Sequence, residues 1–176
     1  MNRRATPRDG ARQPASSDRA KTRHFGKGGN VDIELRDIDE DNFKACTKMS
    51  VRRDQPFVAS NVYSIAESKI FPHWITKAVY AEEALVGFMM FAKFPEREEL
   101  YLCRFMIDQA SQGKGFGKAA LDRLKEIALG DDRIRRIRLS TAPDNANGIR
   151  IYEKYGFKDM KYLEDGEEVF VLELEK

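Results

Sequence analysis

The stretch "QGKGFGKAAL", Gln112 to Leu121, sets three glycines and two lysines directly ahead of an apolar helical run. Glycines let backbone N–H groups approach an anion closely, and the start of the next helix adds its dipole. The chemistry on offer is the binding of a phosphate or pyrophosphate; a tight strand-to-helix turn is the plainer alternative. Two familiar owners of such a loop fail on spacing. A P-loop needs four residues between its first glycine and a Gly-Lys-Ser/Thr, and here Ala119 follows Lys118 where a magnesium-binding hydroxyl belongs. The dinucleotide fingerprint fails because Gly113, Gly115 and Gly117 are spaced two apart and open no early βαβ unit. Nucleotide hydrolysis and nicotinamide chemistry are disfavoured. Cys46 and Cys103 lie far apart with no paired thiol or histidine cluster, so neither a disulfide framework nor a metal site is expected.

The loop must be held by its neighbours. "ELYLCRFMID" before it reads as a central strand, apolar on both faces toward its end. "GKAALDRLKEIAL" after it places Ala120, Leu121, Leu124, Ile127 and Ala128 on one helical face. Upstream, "VDIELRDI" alternates as a strand, and "DEDNFKACTKM" spaces Phe43, Cys46 and Met49 for a helical face with Asp39 as cap. "SVRRDQP" is a loop. "FVASNVYSIAESKIF" predicts a helix presenting Val58, Val62, Ile65 and Ala66 and ending before Pro72. "KAVYAEEALVGFMMFAKF" reads as two strands joined at Glu82-Glu83, although neither residue favours the positive φ of a tight turn. Downstream come a strand, "RIRRIRLST", a short helix, "NANGIRIYEKY", stopped at Gly156, and a hairpin turning at Asp165-Gly166. The expected fold class is α/β of the α+β kind: a mixed, mostly antiparallel sheet with helices on both faces.

Charge is unevenly placed. Residues 1–30 hold eight Lys and Arg against two Asp, and the rest of the chain 23 against 27. The first segment has almost no large apolar residues and reads as a disordered basic extension; residues 31–176 read as one domain. A basic arm attracts phosphate backbones, but without interleaved aromatics nucleic acid is a disfavoured partner. No run of about 18 apolar residues is present to span a bilayer, so no membrane is expected and the expected location is cytoplasmic. A homodimer is admitted but not fixed.

The spacing Gln112-x-x-Gly115-x-Gly117 resembles the phosphate-binding signature of the GNAT superfamily of acetyl-CoA-dependent N-acetyltransferases. "PDNANGIRIYEKYGF" downstream is similar to the family's second cofactor segment, and the resemblance covers residues 31 to about 174. It implies acetyl-CoA as cosubstrate. Backbone groups of Phe105 and Ile107 would pair with the pantetheine arm, and Gln112, Gly113, Lys114, Gly115, Phe116, Gly117 and Lys118 would cradle the pyrophosphate. Asn145 would contact the pantetheine, and Tyr152 would stand beside the thioester sulfur. Gly148 replaces an alanine common in the family, which weakens the helix slightly.

Acetyl transfer needs a neutral amine, a donor for the developing oxyanion and a proton for the leaving thiolate. The resemblance makes Tyr152 the general acid and the Ile107 N–H the oxyanion donor; Tyr155 reads as core. Glu67 is the leading candidate for the base, with a solvated helix face as its plainer reading. Its helix, preceded by "VRRDQP", is similar to the acceptor-side segment of bacterial spermine/spermidine (diamine) acetyltransferases, which implies Asn61 and Ser64 beside the acceptor. The expected substrate is a small-molecule primary amine such as spermine or spermidine. Protein or antibiotic amines, and a non-catalytic acyl-CoA-binding module, are the alternatives. "PEREEL", with Glu96, Glu98 and Glu99, is either a solvated loop or part of the cleft rim. His73 and Trp74 either wall the pocket or belong to the core.

Overall fold

The computed structural model describes residues 31–175; the basic extension assigned to residues 1–30 lies outside them. Seven strands form one sheet: β1 Ile33–Asp37, β2 Ile75–Ala81, β3 Ala84–Phe94, β4 Glu99–Ile107, β5 Arg136–Thr141, β6 Lys158–Glu164 and β7 Glu167–Glu173. Their order is β1-β2-β3-β4-β5-β7-β6, and only the β4–β5 pair is parallel. Helices α1 Phe43–Cys46, α2 Asn61–Ile70, α3 Phe116–Leu129 and α4 Ala146–Tyr155 flank it. This is the mixed, mostly antiparallel sheet expected from the pattern.

The parity of β4 explains the opening at its centre. Leu100 and Leu102 pack in the core beneath α3, and so do Phe105 and Ile107. Strict alternation cannot put both pairs on one face. One extra residue is needed, and it is Cys103: Phe91 pairs with Leu102 and Met90 with Arg104, leaving Cys103 bulged. A bulge bends its strand and increases the local twist. Beyond it β4 and β5 part company, because β5 pairs with Glu99–Leu102 only and Cys103–Ile107 have no strand on that side.

Packing fixes both faces. On one, Phe116, Ala120, Leu121, Leu124 and Ala128 of α3 are buried against the sheet. On the other, Ile65 of α2 joins Phe88, Met90 and Met106, with Trp74 packed beside them, so Trp74 is core. The hairpin turns at Asp165 and Gly166, at φ 52° and 83°, as its sequence requires. Glu82 takes φ 54° at the β2–β3 turn despite its side chain, and its carbonyl accepts from Arg36.

Three local expectations need correction. α1 is only four residues long, because Asp39 and Asn42 exchange side-chain to backbone hydrogen bonds around one turn; Phe43 is exposed. α2 starts at Asn61, where Ser60 Oγ accepts from Tyr63 N at 3.2 Å, so Val58 lies before the helix. Val62 is exposed, and the buried face is Asn61, Ser64 and Ile65.

Candidate active site

Where β4 and β5 separate, a cleft of about 1070 Å³ opens between the bulged end of β4, the glycine loop, α4 and the loop before α2. Its floor is Cys103 to Ile107 on one side and Leu139 to Thr141 on the other. The far end of β4 is tied down by Gln112, whose Nε2 donates to Ile107 O at 3.0 Å and to Gln55 Oε1 at 2.8 Å. Ser50 N donates to Asp108 Oδ1 and Gln109 N donates to Ser50 O, so the loop before α2 is latched over the same end.

The anion cradle follows from backbone geometry. Gly113 and Gly115 have φ of 77° and 87°, with nothing within 4 Å of where a Cβ would stand. Their need for glycine is therefore conformational: a side chain there costs about 1–2 kcal/mol in backbone strain. Gly115 is the N-cap of α3 and supplies no capping side chain. The first-turn N–H groups of a helix have no intrahelical partner, so those of Gly117 and Lys118 open into the cleft end with the positive pole of the dipole. Lys118, Lys125 and Lys154 line the same region. These features fit the phosphates of acetyl-CoA, and the edge of β4 from Cys103 to Ile107, which has no strand beside it where β5 has left, fits an extended polar arm laid alongside it.

Not every residue of the expected cradle faces it. The Phe116 ring is buried in the core under α3, leaving only its backbone at the loop. Lys114 Nζ turns back to the Ala110 carbonyl at 2.9 Å. Asn145 lines the cleft but spends its side chain locally: Oδ1 accepts from Gly148 N at 3.0 Å and Nδ2 donates to Thr141 Oγ1 at 2.8 Å. It caps α4 and joins that helix to the end of β5. Gly148 is what allows this, since a Cβ there would lie 2.8 Å from Asn145 Cγ and 2.9 Å from its Oδ1.

Tyr152, one turn further along α4, lines the cleft with its ring edge-on to Phe157 at 5.8 Å. Among the described residues nothing hydrogen-bonds its hydroxyl, and burial pushes its pKa up to about 12. Tyr155 is different: its hydroxyl donates to Asp122 Oδ1 at 2.9 Å, and Asp122 also pairs with Lys118 at 2.7 Å. Of the two tyrosines, Tyr152 is the one whose hydroxyl no described residue engages.

The acceptor-side residues are arranged differently from expectation. Asn61 Nδ2 donates to Cys46 O at 2.8 Å, and Ser64 Oγ donates to Ser60 O at 3.1 Å; both are buried and neither lines the cleft. Glu67 also lies outside the lining, with Oε2 3.9 Å from Arg104 Nη2. Arg104 does line it, donating through Nη1 to the carbonyl and the Sγ of its neighbour Cys103. Burial raises the Cys103 thiol to about 11, so it is a neutral group in the cleft. Glu99, offered as rim, is buried at the other end of β4 against Arg136 and Arg138.

Sequence reasoning passed over Gln55, Ser140 and Glu167, all of which line the cleft. Ser140 Oγ donates to Glu167 Oε2 at 2.5 Å and stands 2.9 Å from the Tyr101 hydroxyl. The only sequence signal is the change from alternating Arg and apolar residues in β5 to the hydroxyl pair Ser140-Thr141; Glu167 in a Glu-Glu pair gives none.

The acetyltransferase (GNAT) family model matches residues 34–157. A spermine/spermidine N(1)-acetyltransferase of Bacillus subtilis is 32% identical over 152 residues, which is 82% of this chain and all of that protein. Among solved structures, a spermidine N-acetyltransferase from Vibrio cholerae in complex with CoA and spermine superposes with a TM-score of 0.63 at 16% identity, covering 80% of this chain and 95% of that one. The aminoglycoside acetyltransferase AAC(6')-Ib in complex with coenzyme A gives 0.67 at 17%, covering 81% and 95%. A loop that lost its P-loop and dinucleotide owners on spacing thus gains one from fold and ancestry: the chain belongs to the GNAT family and is an acetyl-CoA-dependent N-acetyltransferase.

Proposed function

We propose that the acceptor is a primary amine of a polyamine such as spermidine or spermine, attacked directly on the thioester with Tyr152 as general acid. The observation that carries the mechanism is the unengaged Tyr152 hydroxyl in the cleft, protonated far above neutral pH. Bound acetyl-CoA supplies an activated acetyl group. This chain's residues do the rest: the cradle from Gln112 to Lys118 and the Lys125 and Lys154 side chains hold the phosphates, and the free edge of β4 aligns the arm. The Ile107 N–H polarises the carbonyl, and Tyr152 protonates the departing sulfur. A neutral Cys103 makes a poor nucleophile, which supports direct transfer over an acetyl-cysteine.

The polyamine assignment draws on the named activity of the relatives that match over their full length. Glu67, the expected base, lies outside the cleft lining, its buried Oε2 3.9 Å from Arg104 Nη2 and without a hydrogen-bond partner among the described residues. The test is Tyr152→Phe. Turnover should fall about 10²–10⁴-fold while acetyl-CoA binding is kept, because only the proton is removed. Wild-type turnover in that variant would rule out the general-acid role.

A further inference from the structure

We infer that Glu167 is the carboxylate that receives the acceptor's ammonium group and takes its proton, an inference that rests on the amine-acetylation reading above. Among the described residues that line the cleft, two are carboxylates, Asp122 and Glu167. Asp122 is committed to Lys118 and to the Tyr155 hydroxyl, on the helix that holds the anion. β4 offers Cys103 and Arg104 at the bulge. The first is a neutral thiol and the second a permanent cation, so neither can accept a proton from an amine. Glu67 faces Arg104 from outside the lining.

Glu167 opens β7, directly across the hairpin from Glu164, and reaches Ser140 where β5 leaves β4. Its orientation is fixed by a directional chain. Ser140 has one hydroxyl proton and gives it to Glu167 Oε2, so the Tyr101 hydroxyl, 2.9 Å from Ser140 Oγ, must donate to that oxygen. Ser140, itself oriented by Tyr101, thus holds one carboxylate oxygen, and Oε1 makes no hydrogen bond with any described residue. A carboxylate pinned by one oxygen and open at the other is arranged to bind an ammonium. The titratable and charged groups around it are Tyr101, Cys103 and Arg104 on β4, Arg138 of β5, which lies over the Tyr101 ring and engages Glu164 of β6, and Glu168 beside it; Glu67 of α2 acts on the same thiol.

The step balances. Glu167 takes one proton from the ammonium, and the freed lone pair forms the C–N bond as the C–S bond breaks. Tyr152 gives its proton to the sulfur and recovers one from the nitrogen, and Glu167 releases its proton to solvent. Glu167 and Tyr152 therefore do opposite jobs in one cleft.

The experiment measures kcat/KM for spermidine against pH in the wild type and in Glu167→Gln, with acetyl-CoA affinity by calorimetry and melting temperature on both. At neutral pH the variant should lose about 10²-fold. The deficit should shrink as pH approaches about 10, where the amine sheds its own proton. Acetyl-CoA affinity and melting temperature should hold. Ser140→Ala, which frees the carboxylate without removing it, should lose less and keep the wild-type profile shape. An unchanged neutral-pH rate in Glu167→Gln overturns the inference, and so does an equal loss at every pH accompanied by a lower melting temperature. A wild type that binds acetyl-CoA but acetylates no amine overturns the underlying reading instead, and is told apart by needing no variant.

Discussion

Replacing Gly148 by alanine should destabilise this protein although alanine is the better helix former. Within a helix the exchange is worth about 0.8–1.0 kcal/mol in alanine's favour. At this position the new Cβ would lie 2.8 and 2.9 Å from Asn145 Cγ and Oδ1, closer than carbon packing allows. The Asn145 side chain is short and held at both ends, by Gly148 N and by Thr141 Oγ1. It must leave both. Loss of an Asn N-cap costs about 1 kcal/mol and loss of the second hydrogen bond about as much again. The net cost is about 1 kcal/mol. Once Asn145 has been truncated to alanine the obstruction is gone, and Gly148→Ala should then stabilise by up to about 1 kcal/mol. The effect changes sign between backgrounds, a coupling of about 2 kcal/mol that is well above the error of a double-mutant cycle. Denaturant unfolding of the four proteins reads it. Equal stabilisation of both backgrounds by Gly148→Ala would refute the clash with Asn145.

Two other perturbations probe separate parts of the account. Gln112→Ala removes the tie from the glycine loop to Ile107 O and Gln55, two hydrogen bonds worth about 1 kcal/mol each, and should weaken acetyl-CoA binding about 5–30-fold by calorimetry while leaving the acceptor pH profile in place. Asp131 is held at about pKa 2 by the two-pronged Arg133 guanidinium and the Arg133 N–H, below its ordinary value near 4, so its stabilisation is present above about pH 4 and lost as pH falls toward 2; Asp131→Asn should flatten that acid decline in melting temperature.

The parts of the molecule that were readable are those where one physical signal decides. The α3 stripe of Ala120, Leu121, Leu124 and Ala128 had no competing pattern, and it is buried as read. Asp165-Gly166 allowed one kind of hairpin. α2 is only partly legible because its inward face sets two polar residues, Asn61 and Ser64, beside Ile65. Asn61 and Ser64 satisfy their own hydrogen bonds inside, while Val62 and Tyr63 stay exposed, and apolar periodicity has no way to register that inversion. The bulge at Cys103 was hidden because β4 is apolar on both faces, so its change of parity leaves no mark in the alternation. Glu167 was passed over for a related reason: it is adjacent to Glu168 in sequence, and only the β5–β7 pairing brings Ser140 within reach.

The central claim is that this cleft moves acetyl from acetyl-CoA to a polyamine amine. Its most direct measurement is the initial rate of thiol release from acetyl-CoA with spermidine, spermine, an aminoglycoside or a peptide amine, set against a reaction without amine. The account predicts release that depends on amine, is fastest with the polyamines and yields the N-acetylated polyamine by mass spectrometry. Saturable acetyl-CoA binding with no amine-dependent release, or a preference for the aminoglycoside or peptide, would contradict it.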